Sequence, residues 1–405
     1  MSSKPTIRFL DRTTPPHIVT LVLLAGLGAM NMSAFLPALP EMTNHFGTSY
    51  ATMQLSVSAY LAVTALLQFV VGQLSDRYGR RPVILICLGV FLAATLACMV
   101  APTVELFLVF RMVQGTVAVG LVLSRAIVRD IVPQNEAASM IGYVTMGMAL
   151  VPMVAPMVGG ALNQLYGWES IFIFTLLVTA IVFTLCWLDL GETASGHFTS
   201  FRDQLSDYPE LLGARRFWGY VFAAAFAAGA FFAFLGGAPY VASEVYGMSS
   251  FWSGVGFGAP AIGYATGNYI SGRYSTTYGI NAMIYFGAII TVSGLAISLA
   301  ITLIGLGSPL IFFGFCTFVG LGNGLVMPNA SAGMMSVRPH LAGTASGLGS
   351  AILIGGGAGL SALAGHVLTL GTTSAPLQWI MFLSAGMALV SIIYVQRRER
   401  AVQGV

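Results

Sequence analysis

Charge is what this sequence has least of. Only 8% of its 405 residues are charged and lysine occurs once, at Lys4, whereas a soluble globular chain carries roughly a quarter charged residues. A water-facing surface is built mainly from Lys, Arg, Glu and Asp, so a soluble enzyme of this length is excluded. A nucleic-acid binder is excluded too, because its basic patch needs clustered lysine and arginine. Cysteine is also scarce. Cys87, Cys98, Cys186 and Cys316 stand singly inside apolar runs, none at the spacing of a zinc or redox pair. They are read as buried free thiols, and no metal or cofactor is expected. What the chain has instead is 57% hydrophobic residues, 48 glycines and a mean hydropathy of +0.84, the composition of an integral membrane protein.

A bilayer core of about 30 Å needs about 20 apolar residues per helix. Twelve runs qualify, at 16–36, 52–71, 82–101, 104–124, 138–162, 170–189, 217–238, 251–271, 281–304, 309–327, 342–367 and 376–395. The polar start, with Lys4, Arg8 and Arg12, leads into the first run without a small-residue cleavage site. That predicts a first transmembrane helix and not a removable signal peptide. The widest gap follows the sixth run and is polar, with Glu192, Asp203, Asp207, Glu210, Arg215 and Arg216. The predicted architecture is therefore an all-α membrane protein of twelve transmembrane helices in two pseudo-symmetric six-helix bundles, 1–189 and 217–405, joined by a linker at 190–216.

Sixteen of the seventeen basic residues fall on alternate loops: before run 1, after runs 2 and 4, in the linker, after runs 8 and 10, and after run 12. The intervening loops have none and carry Glu41, Glu169 and Glu244. By the positive-inside rule the linker and both termini are expected on the cytoplasmic side, and the chain is expected to be a multi-pass protein of the inner membrane. Gly72, Ser75, Tyr78 and Gly79 after run 2 recur as Gly272, Ser275, Tyr278 and Gly279 after run 8, at equivalent places in the two halves, as a duplicated transporter would have.

The segment Gly72-Gln-Leu-Ser-Asp-Arg-Tyr-Gly-Arg-Arg81 is expected in the turn between helices 2 and 3. Gly72 admits a close neighbour, Gly79 a tight turn, Asp76 can accept from an arginine, and Arg77 and Arg80 can meet lipid phosphates or an acid. This run resembles the signature of the major facilitator superfamily. Arg111, Gln114 and Gly115 resemble the Arg-x-x-Gln-Gly motif of its proton-driven members. Gly147, with Ala155-Pro156-Met157-Val158-Gly159-Gly160, resembles the antiporter motif of helix 5. Leu36-Pro37-Ala38-Leu39-Pro40 and Val128-Arg129-Asp130 resemble the bicyclomycin and chloramphenicol resistance branch. In helix 5, Pro156 removes a backbone hydrogen bond and bends the helix, while Gly147, Gly159 and Gly160 admit other helices closely.

Arg111 is the one basic residue inside an apolar run. A buried arginine costs from about 2.5 to over 10 kcal/mol and stays charged, so it reads as a proton-coupling or counter-ion residue, with Gln114 one turn away. One departure from the branch stands beside it. Relatives carry an acid three residues before the Leu-Pro of helix 1, and here that position is Ser33. The expected pocket lies between the halves at the midplane, with candidate walls Asn31, Ser33, Phe35, Tyr60, Phe231, Phe234, Tyr240, Asn268 and Asn323. Aromatics with few polar groups suit an amphiphilic organic molecule. The resemblance thus implies a monomeric secondary transporter, in contact with membrane lipids, that exports small amphiphilic compounds by alternating access in exchange for protons. One rival is an exporter or facilitator of an anionic metabolite, with Arg111 as counter-ion and without proton antiport. A membrane-embedded enzyme or sensor is the other, and it lacks a catalytic cluster or a loop long enough to fold.

Overall fold

The computed structural model describes residues 8–132, 140, 144, 151–194, 209–338, 341–368 and 373–403. Among them there is no strand, and helix occupies each of the twelve predicted runs. Helix α1 (Ile18–Ser33) stops ahead of Pro37 and passes through a 3-10 turn (Leu36–Ala38) into short α2 (Leu39–His45). Next come α3 (Tyr50–Tyr78) and α4 (Arg80–Met99). The fourth run is α5 (Val104–Val113) and α6 (Ala118–Ile131), joined by a 3-10 turn at Gln114–Val117. Helices α7 (Val151–Tyr166) and α8 (Glu169–Asp189) complete the first half. In the second half α9 (Arg215–Tyr240) ends in a π turn, Val241–Val245, and α10 (Ser250–Phe257) and α11 (Ala259–Tyr278) share one run, divided ahead of Pro260. Then follow α12 (Ile280–Leu303), α13 (Pro309–Val337), α14 (Ala342–Leu368) and α15 (Ala375–Gln403).

Ten of these segments are long and apolar enough to cross a membrane, and the chain is a multi-pass membrane protein. The other two runs hold α7, described from Val151 onward, and α10–α11, whose second part carries Asn268, Arg273 and several serines and threonines. Several helices outrun their hydropathy limits: α3 reaches Tyr78, α6 Ile131, α13 Val337 and α15 Gln403. A helix keeps its backbone bonds after it leaves hydrocarbon, so hydropathy marks the bilayer and not the helix end. The signature segment is therefore mostly helical, and the turn itself is Gly79 alone, at φ 95°.

The recurrence at an offset of 200 is geometric as well as textual. Gly79 N–H donates to Ser75 O at 3.0 Å and Gly279 N–H to Ser275 O at 2.9 Å, both glycines having the positive φ that a side chain would oppose. Asp189, fully buried at the end of α8, accepts from Thr20 Oγ1 (2.6 Å), His17 N (2.9 Å) and Leu10 N (2.8 Å). Glu399 near the end of α15 accepts from Tyr220 (3.1 Å), Arg216 and Asn281. Thr20 and Tyr220 are again 200 apart, so an acid closing each half binds the start of that half.

Residues from the two halves meet closely at the end of the helices that lacks arginine. Helix α7 packs on α10, and α3 on α14. A methyl group at Gly160 would strike the Ser250 carbonyl across the halves, and one at Gly159 the Ala34 carbonyl within the first half. Tyr50 donates to Gly236 O at 2.9 Å, and Gln54 Nε2 to Ser361 O and Oγ at 2.7 and 2.8 Å.

Candidate functional site

A cavity of about 280 Å³ lies between α1, α7, α9, α11 and α13. Its wall is apolar, including Met32, Leu36, Pro156, Phe231, Phe232 and Phe257, and its polar side chains are Ser33, Tyr264 and Asn323. Among the described residues no Asp, Glu, His, Lys or Arg lines it. Ser33 turns its hydroxyl back to Ala29 O at 2.8 Å, which reduces its polarity further. Helical spacing builds the wall: Phe257, Pro260, Ala261 and Tyr264 form one stripe, and Gly320, Asn323 and Met327 another.

Of the nine expected wall residues, the structure brings Ser33, Phe231 and Asn323 to the cavity. Asn31, Phe35 and Tyr60 surround Arg111 instead. Phe234 belongs to a buried aromatic cluster with Phe257, Phe312 and Phe313 at centroid distances of 5.9, 6.3 and 6.1 Å. Tyr240 packs on Tyr50 at 5.0 Å, and Asn268 donates to Tyr264 O at 2.8 Å within its own helix. Tyr264, Phe232 and Met327 were absent from the expected set; the stripe that includes Pro260 is the sequence signal for Tyr264.

Arg111, 1% exposed, sits in the last turn of α5. One terminal nitrogen donates to Asn31 Oδ1 (2.8 Å) and Gln114 Oε1 (2.5 Å), and the other to the Asn31 carbonyl (2.8 Å). Its guanidinium lies 4.0 Å from the Phe35 ring centroid and 4.6 Å from that of Tyr60. Gln114 in turn donates to Thr95 Oγ1 at 2.8 Å. Desolvated cation–π contacts are worth about 2 kcal/mol each and hydrogen bonds to a charged group about 1.5–3 kcal/mol, enough together to offset a burial cost at the lower end of its range. No carboxylate takes part. The Asn31 carbonyl is available because α1 ends two residues later, so Arg111 holds the broken end of that helix.

At the arginine-rich end the signature residues join three helices. Arg80 pairs with Asp76 (2.5 Å) and with Asp130 (3.1 Å) at the end of α6. Glu192 accepts from the backbone N–H groups of Arg80 and Arg81, capping α4. Arg77 lies over the Tyr78 ring, and Gly72 has open space beside it. In α7, Pro156 lines the cavity while Gly159 and Gly160 form the close contacts with Ala34 and Ser250. Gly147 lies outside the described residues.

A solved bacterial homologue of the human lysosomal transporter Spinster, in an inward-facing and occupied conformation, superposes with a TM-score of 0.72 at 18% identity, covering 95% of this chain and 96% of that one, a likeness of fold. An uncharacterized MFS-type transporter, YdgK of Bacillus subtilis, is 32% identical over 90% of this chain and 91% of its own. A chloramphenicol resistance protein of Pseudomonas aeruginosa is 32% identical over 80% and 76%. A bicyclomycin resistance protein homologue of Haemophilus influenzae is 27% identical over 97% and 99%. The Major Facilitator Superfamily model matches residues 21–362, and the chain belongs to that superfamily, within its bicyclomycin and chloramphenicol resistance branch, as a transporter and not an enzyme.

Proposed function

We propose that this protein is a secondary active exporter of small, uncharged amphiphilic compounds, working by alternating access in exchange for protons. The observation that carries the reading is the cavity between the halves, apolar and, among the described residues, free of Asp, Glu, His, Lys and Arg, with Ser33, Tyr264 and Asn323 as its polar groups. Such a wall suits a neutral molecule with one or two hydrogen-bonding groups and penalises a charge left unpaired on entry. Relatives named for chloramphenicol and bicyclomycin resistance support the class. The six-helix bundles at 1–189 and 217–405 rock about the cavity, joined by the linker at 190–216. The close contacts at the arginine-poor end and the inward-facing fold relative favour a state open towards the arginine-rich side.

That side is the cytoplasm by the loop charges, with both termini there and the chain in the inner membrane. One chain encloses one whole cavity, so a monomer suffices. A proton crossing 100 mV supplies about 2.3 kcal/mol, a useful drive at one-to-one exchange. The anionic-substrate rival is disfavoured because Arg111 does not line the cavity and is held by Asn31 and Gln114. The test is growth of an efflux-deficient host expressing the chain, across uncharged, cationic and anionic antimicrobials. Protection against uncharged compounds supports the reading; protection confined to anions restores the rival.

A further inference from the structure

Among the described residues no carboxylate or histidine lines the cavity, and the seam between the halves offers another place for a proton to act. Asn163 on α7 is 4% exposed. Its Nδ2 donates both to Glu41 Oε2 on α2 (2.7 Å) and to Ser250 Oγ at the start of α10 (2.9 Å). One amide therefore ties a carboxylate of the first half to the opening helix of the second, beside the Gly160–Ser250 contact. The same amide's Oδ1 is buried and has no hydrogen-bond partner among the described residues.

We propose that Glu41 and Asn163 form a proton-operated latch on the arginine-poor side of the transporter, an inference that deepens the export reading by adding its regulation. Ionised Glu41 accepts a charge-assisted bond from Asn163, about twice as strong as a neutral one, and the seam stays shut. A proton taken from the adjacent water onto Glu41 finds an idle acceptor in Asn163 Oδ1. Using it turns the amide, which withdraws Nδ2 from Ser250 and loosens α10 from α7. Acidity on that side thus favours opening to it. Other titratable groups on the elements at this end are Glu169 at the start of α8, whose carboxylate like that of Glu41 lies beside Gly167, His45 one turn along α2, Tyr166 at the end of α7, and Glu244 on the π turn that packs against α10. Helix α10 itself contributes none.

The test uses the full chain in lipid vesicles, with spin labels at the exposed positions Asn44→Cys and Trp252→Cys and the native cysteines replaced. Lowering the pH should raise the long-distance population about tenfold, the scale of a shift out of a minor state. Glu169→Gln, His45→Gln and Glu244→Gln should leave that shift in place. Glu41→Gln should abolish it, and Ser250→Ala should hold the seam largely open at either pH. A full shift in Glu41→Gln, or none in the unmutated pair, overturns the latch. Should Glu41→Gln fail to reach the membrane, a full shift in Ser250→Ala does the same. The measurement needs no substrate, so a chain that exports nothing in the growth panel overturns the export reading while this result still decides the latch.

Discussion

Arg111 and Asn31 are joined twice, once through the asparagine side chain and once through its backbone carbonyl, both at 2.8 Å. The charge of the arginine is thereby fixed against the end of α1 and stays away from the cavity wall. Arg111→Ala should leave the Asn31 carbonyl and Gln114 Oε1 unsatisfied at about 1–3 kcal/mol each, seen as a lower melting temperature of the purified protein. Arg111→Lys should be intermediate, since an ammonium keeps the charge but loses the planar fork. In Arg111→Lys the affinity for an uncharged substrate should change less than the transport rate; a loss confined to affinity would return Arg111 to substrate contact.

Two phenylalanines three residues apart separate binding from folding. Phe231 lines the cavity, so Phe231→Ala should weaken substrate binding about tenfold, as loss of an aromatic wall contact does, with little effect on abundance. Phe234 is fully buried among rings, so Phe234→Ala should cost about 3–5 kcal/mol of stability. Binding and thermal melts on both variants check the contrast.

Ser33 stands on the cavity wall, at the position where the family resemblance implies an acid. Ser33→Asp should extend export to cationic compounds, because a carboxylate on an apolar wall attracts a cation and can take up a proton. Resistance profiles of the two strains measure it, and an unchanged profile with normal expression would contradict it.

Gly160→Ala places a methyl group against the Ser250 carbonyl. Closure of the seam should fail, abolishing transport while the protein still reaches the membrane. Substrate flux compared with membrane abundance gives the answer.

Leu306 is 65% exposed in the turn after α12, and Ser206 lies in the linker. Leu306→Cys should react with an impermeant thiol reagent outside intact cells and Ser206→Cys should not. The reverse pattern would invert the orientation drawn from the loop arginines.

The runs of apolar residues made the helices legible, and the one-turn spacing of Arg111 and Gln114 made their pairing legible. Which face of a helix meets the cavity was harder to read, because α9 is apolar on nearly all sides and buried on most of them. There, periodicity carries no direction, and Phe231 cannot be told from Phe234 by pattern alone. Helix α1 did carry a signal. Residues two apart on a helix lie about 200° apart, so Asn31 and Ser33 could not both face one cavity; Ser33 lines it and Asn31 turns to Arg111. The Glu41–Asn163–Ser250 contact was illegible because its members are 122 and 87 residues apart and no local pattern links them.

The proposed route of an uncharged compound is the cavity lined by Ser33, Phe231, Tyr264 and Asn323. The most direct measurement is accumulation of labelled chloramphenicol, an uncharged probe, in everted membrane vesicles under an imposed proton gradient. Accumulation that collapses with a protonophore and falls about tenfold in Phe231→Ala is the result predicted. Accumulation of permanently charged compounds alone, or chloramphenicol uptake indifferent to both the gradient and Phe231→Ala, would contradict it.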